Sequence, residues 1–226
     1  MPNHVTNLFR IKGTPEQVTT VRDTLRGEWE EERDKDRERP IDFAKLLPMP
    51  ESLNVTHGSE VRVAEWEMQH KDERGRLPLK PPAHVIEHAE KNRELVDQIK
   101  ENIRVHGLAS WYEWNIKKWG TKWNAYSQEE IEPNLIRFET AWSAPRPFYE
   151  AVAARFPEVE FVIEYADEDT GSNCGTLTYR NGTLASFEEP PGNYTNKERR
   201  MFAYRVQGVS KEDIELYERE REEEDR

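Results

Sequence analysis

Trp111-Tyr-Glu-Trp-Asn-Ile-Lys-Lys-Trp-Gly-Thr-Lys-Trp-Asn-Ala-Tyr126 holds four of the chain's seven tryptophans within thirteen residues, with Gly120 between them. Before the glycine, Trp111, Trp114 and the run Ile116 to Lys118 fit the end of a helix. After it, Thr121, Trp123 and Ala125 alternate with Lys122, Asn124 and Tyr126, the period of a strand. The stretch reads as a helix-to-strand corner. Indoles bury large areas and need a partner for each N–H, so core is the favoured reading of the cluster. On that reading Trp123 turns toward the helices, and Lys122, Asn124 and Tyr126 reach the open face of a sheet.

Beyond the corner, Leu135-Ile-Arg-Phe-Glu-Thr-Ala-Trp142 alternates as a strand. Ser143 and Pro145 open a helix in which Phe148, Val152 and Phe156 share a face, and Pro157 closes it. Val159, Phe161, Ile163 and Tyr165 alternate with acidic residues as the next strand. Gly175–Tyr179 and Thr183–Phe187 flank Arg180-Asn181-Gly182, where Asn-Gly between alternating runs predicts a hairpin. From Glu188 the chain turns polar and proline-rich, and Ser210-Lys-Glu-Asp213 caps a last, highly charged helix.

Upstream, residues 3–12 read as a first strand with Val5, Phe9 and Ile11 on one face. Thr14-Pro15-Glu16-Gln17 is a helix start, with Thr as N-cap, Pro at N1 and Gln closing a capping box. Glu28 to Arg39 is a charge run around Trp29, read as a solvated extension. Ala83 to His106 reads as one long helix, with Val85, Ala89, Val96, Ile99 and Ile103 on a stripe. The order, with the insertion at about 28–118 set aside, is β-α-β-β-α-β plus a hairpin. That is an α+β fold of ferredoxin-like order, an antiparallel sheet with both helices on one face. The expected organisation is one domain over 1–190 and a polar, charged extension over 191–226.

Composition limits what the chain does. Of its 226 residues 35% are hydrophobic and 35% charged, with a formal net charge of −12. That balance disfavours a whole-surface grip on nucleic acid, which depends on Lys and Arg neutralising phosphates. It permits a partner with a basic surface, or a local basic patch on an acidic body. The single cysteine, Cys174, fits a reducing compartment and excludes an intramolecular disulfide. The N-terminal residues do not read as a signal peptide. No stretch approaches the ~20 apolar residues of a membrane span, so no membrane partner is expected.

Asn3-His-Val-Thr-Asn7, Ile41-Asp-Phe43, Leu47-Pro-Met-Pro50, Trp119-Gly-Thr-Lys-Trp-Asn-Ala125 and Phe138-Glu-Thr-Ala-Trp-Ser143 resemble the YubB ferredoxin-like family of phage and plasmid genomes. The resemblance spans about the first 190 residues in broad order. It implies the fold, an origin on a mobile genetic element, and action in the cytoplasm of a bacterial host. It brings no catalytic residues.

Two motifs bear on metal chemistry. His84-Val-Ile-Glu87-His88 matches the H-x-x-E-H string of zinc peptidases, which places both imidazoles on one helix face. No third ligand is identifiable, so a His pair bordering a packed helix is favoured. Asp167-Glu-Asp169-Thr-Gly171-Ser-Asn173 carries oxygens at alternate positions but lacks the calcium-loop glycine position and terminal Glu, so it reads as a turn. No cofactor is expected.

Three function classes follow. The first is a non-catalytic binding protein of a phage or plasmid that engages a host protein, as an antagonist of host defence. The second is a nucleic-acid or nucleotide binder using Lys122, Asn124 and Tyr126 on an aromatic sheet face. The third is a zinc hydrolase built on His84, Glu87 and His88.

Overall fold

The computed structural model describes residues 3–28, 39–72 and 74–224. The charge run at 28–39 lies outside them except for its two end residues. The chain divides into two compact units, Met1–Leu47 with Trp119–Arg226, and Pro48–Lys118.

The first unit is built on six antiparallel strands: β1 (His4–Lys12), β2 (Tyr126–Glu132), β3 (Leu135–Ala141), β4 (Glu160–Asp167), β5 (Cys174–Arg180) and β6 (Thr183–Glu188). Their spatial order is β2-β3-β1-β4-β5-β6. The first four strands therefore have the ferredoxin-like order, and the hairpin extends the sheet beyond β4. Asn181 and Gly182 take φ of 52° and 77°, the left-handed pair a tight two-residue hairpin requires. Helix α1 (Pro15–Leu25) starts at the Thr14–Gln17 capping box.

Valines, phenylalanines and isoleucines at alternate strand positions put Val5, Phe9, Ile11, Phe138, Phe161 and Ile163 in one core, with Val21 and Leu25 of α1. Short helix α2 (Phe43–Leu46) adds Phe43 to it. Polar groups inside this core are paired. Asn7 donates to Thr140 Oγ1 at 3.0 Å and accepts from the Tyr149 hydroxyl at 2.8 Å.

The second unit holds α3 (Ser59–Met68), α4 (Ala83–Glu90), α5 (Arg93–His106) and α6 (Trp111–Trp114), and α6 runs on into a π-helical turn, Asn115–Trp119. Val61, Val63, Ala64, Val96, Ile99 and Ile103 form its core. The long helix expected over 83–106 is two helices. Asn92 breaks it at φ −117° and ψ 40°, and its amide donates to Glu60 Oε1 of α3 at 2.8 Å.

In the first unit again, α7 (Arg146–Arg155) lies on the same sheet face as α1, contributing Phe148 and Val152 to the core. Two further features depart from the sequence reading. The strand expected from Thr121 begins only at Tyr126, because Asn124 commits its side chain elsewhere: Oδ1 accepts from Phe43 N at 3.0 Å and Ala125 N at 2.9 Å, and Nδ2 donates to Asp42 at 2.7 Å. Gln128 completes the clasp on the Ile41 backbone. Strand alternation therefore does not govern residues 121–125, and Trp123 is 39% exposed rather than in the core.

The second departure is α8 (Lys197–Gln207), which lies across β4, β1 and β5 on the sheet face expected to be open. Ala203, Val206 and Phe202 pack there on Leu8, Ala166 and Cys174. Helix α9 (Lys211–Glu224) follows, with Ser210 Oγ accepting from Asp213 N at 3.1 Å. It docks on α8 through Glu218, whose carboxylate receives Arg200 Nε at 2.7 Å and Nη2 at 2.5 Å, and through Tyr217 against Tyr204.

Candidate functional site

The runs 119–125 and 139–143 are knitted into one corner of the first unit. Thr121 Oγ1 donates to Ala141 O at 2.7 Å, Ser143 Oγ to Gly120 O at 2.6 Å, and Thr140 Oγ1 to Ser143 O at 2.8 Å. Gly120 turns the chain at φ 85°, and a Cβ there would collide with the Pro147 ring. No other residue fits both demands.

Out of this corner stand two indoles with a lysine between them. Lys122 Nζ lies 4.7 Å from the Trp123 ring centroid and 4.9 Å from that of Trp142. Trp142 is 42% exposed and sits at φ 71°, its backbone N–H donating to Asn3 O at 2.8 Å. A bulky residue in the left-handed region is a true backbone outlier. Tyr126 borders the pair, its ring 6.4 Å from Trp123 and its hydroxyl 2.8 Å from His4 Nδ1.

Carboxylates gather at His4, Asn3 and Tyr126 beside the indoles. Glu139 lies 3.9 Å from His4 Nδ1, and Asn3 Nδ2 bridges Asp167 at 3.2 Å and Asp169 at 3.0 Å. Burial, then Glu139 and Glu168, pushes the Tyr126 phenol up to about 12. Negative charge therefore converges on the same corner. The Asp167–Asn173 loop is a hydrogen-bonded turn, with Asp167 Oδ1 also accepting from Asp169 N at 3.0 Å.

Of the residues expected to bind, Lys122 and Tyr126 are in this corner, while Asn124 is spent in the clasp on Asp42 and Phe43. Trp142, His4 and Glu139 were not singled out as a site from the sequence. An aromatic at the end of a strand was the only available signal for Trp142, since its backbone angle has no sequence mark. His84, Glu87 and His88 are exposed on α4, and His88 Nε2 lies 3.6 Å from Glu60. Among the described residues no three His, Cys, Asp or Glu side chains are grouped to hold a metal ion. Cys174 is buried and its thiol is pushed up by burial, the reverse of what a nucleophile needs.

Residues 118–207 match the family model described as "Ferredoxin-like domain in Api92-like protein". Among solved structures, the crystal structure of a protein api92 from Yersinia pseudotuberculosis is similar over 85% of this chain and 99% of its own, at 12% sequence identity and a TM-score of 0.42. No curated protein matches. Among the described residues, no helix is long and apolar enough to cross a membrane.

Proposed function

We propose that this chain is a non-catalytic binding protein whose Trp123–Lys122–Trp142 corner docks a partner protein with a basic surface. The observation that carries this reading is Trp142. Holding an L-residue in the left-handed region costs about 1–2 kcal/mol, and a half-exposed indole regains little of that by burial. Strain of this kind collects where a side chain is needed for recognition. Trp and Tyr are also the residues that dominate protein interfaces.

The carboxylates decide the partner's chemistry. Glu139, Asp167, Glu168 and Asp169 near the indoles attract a cationic surface and disfavour the continuous negative charge of a nucleic-acid backbone, which favours a protein over nucleic acid. The YubB resemblance supports the setting: a phage or plasmid product acting in the cytoplasm of a bacterial host, against a host-defence protein. Two of the runs that carry that resemblance, 119–125 and 138–143, build the corner.

Trp142→Gly separates recognition from folding. Glycine adopts φ 71° without strain, so the variant is expected to melt at the wild-type temperature or slightly above it, while partner capture falls at least about tenfold, as for an interface hot spot. A marked fall in melting temperature would make Trp142 a structural residue and sink the proposal.

A further inference from the structure

An arginine whose head group leaves bulk water needs a counter-charge, because an unpaired guanidinium in a low-dielectric setting is costly. Among the described residues, every buried or half-buried arginine but one has a carboxylate oxygen within 4.0 Å. The exception is Arg146, the first residue of α7. Its Nη2 donates to the Tyr165 hydroxyl at 3.0 Å. Its guanidinium lies 4.4 Å from the Phe187 ring centroid and 5.8 Å from that of Tyr165. Two aromatic faces thus hold the fork in one orientation, and neither neutralises it. Nε and Nη1 make no hydrogen bond among the described residues. In a chain of net charge −12 such a vacancy is unusual, since acidic partners are plentiful.

The guanidinium lines a cavity of about 350 Å³, together with Ser143, Pro147, Tyr165 and Asn173. Ser143 Oγ donates to Gly120 O, so this hydroxyl offers a ligand no donor and the positive charge on the wall comes from Arg146. Among the described residues the Asn173 amide makes no side-chain hydrogen bond, and it provides a second donor group on the wall. The first turn of α7 lies on the same wall and adds the positive end of its dipole.

We infer that this cavity binds an oxyanion group, a phosphate or a carboxylate carried by a ligand, with Arg146 as its charge partner. The planar fork suits two oxygens held side by side, which a halide does not offer. The inference stands apart from the docking reading, because Trp142→Gly leaves Arg146, Tyr165 and Phe187 in place.

The test follows the arginine side-chain Nε–Hε resonances of the full-length protein by NMR. Inorganic phosphate, acetate and chloride are titrated separately at constant ionic strength. The expected result is a saturable shift of the Arg146 resonance with phosphate or acetate and none with chloride. Saturation by phosphate alone identifies a phosphate-bearing ligand, and by acetate alone a carboxylate. Arg146→Met keeps an unbranched stem against Phe187 and removes the charge. It is expected to lose the rise in melting temperature that the binding anion gives the wild type, with affinity at least about tenfold weaker. If that variant does not fold, the wild-type resonance still decides. A linear response to all three salts, or equal protection of Arg146→Met, would overturn the inference.

Discussion

Trp119→Ala is expected to lose about 3–5 kcal/mol of stability, the usual cost of deleting a buried aromatic. Trp119 is 7% exposed, its ring meets Phe43 edge-on at 5.8 Å, and its Nε1 donates to Leu47 O at 3.0 Å. The substitution therefore opens a cavity against Phe43 and leaves a carbonyl without its donor. Set against the ~5–15 kcal/mol that holds a domain together, this is a large fraction, and urea unfolding would show it as a lower midpoint. Trp123→Ala, four residues on, is expected to stay within about 0.5 kcal/mol of wild type, because that indole is a surface group. The sequence reading treated the two as equals, and the structure separates them.

The second large effect is at the other end of the chain. Few of the residues after Ser210 are apolar, and on sequence alone their removal is expected to leave the fold intact. Glu218, however, is buried against Arg200, itself 9% exposed. Cutting α9 away takes the carboxylate from that guanidinium, while the Tyr194 and Thr195 carbonyls still accept from it. Breaking a buried pair costs about 3–5 kcal/mol, and the two carbonyls set the expectation near about 3. For a chain of this length that lowers the melting temperature by roughly 6–12 °C. The pair also has a pH signature. Hydrogen bonds from Arg200 hold the Glu218 carboxyl below its ordinary range. A folded-state value that is depressed gives stability that is fully present above the unfolded value of about 4.3 and is lost as pH falls through the folded one. The gap between wild type and Glu218→Gln should thus be constant near neutrality and narrow below about pH 4. A gap that does not change with pH would show that the pair contributes through packing alone.

What could be read in advance follows from how local each cause is. The capping box at Thr14, the Asn181-Gly182 turn and the alternation of β1 and β4 are set by neighbours in sequence, and each took the expected form. The start of β2 was misplaced because Asn124 spends its side chain on Phe43, 81 positions away in the chain. Helix α8 was missed because Lys197-Glu-Arg-Arg carries most of the signal, while the Ala203–Val206 face matters only against Leu8 and Cys174. The site divides the same way. The aromatic content of the corner is legible in the sequence, and so is the nearness of Lys122 to it. The left-handed backbone of Trp142 and the missing counter-charge of Arg146 are properties of the folded chain alone.

The docking corner is tested most directly by a photo-crosslinking phenylalanine analogue placed at position 123, with a control at Leu184, an exposed residue of β6. Both proteins are irradiated in bacterial host extract at low and high salt. One adduct is expected from position 123, to a protein with a basic surface. It should fade as salt screens the carboxylate rim and disappear when Trp142→Gly is added, with no such adduct from position 184. The same adducts from both positions, or an adduct from position 123 that survives Trp142→Gly unchanged, would contradict it.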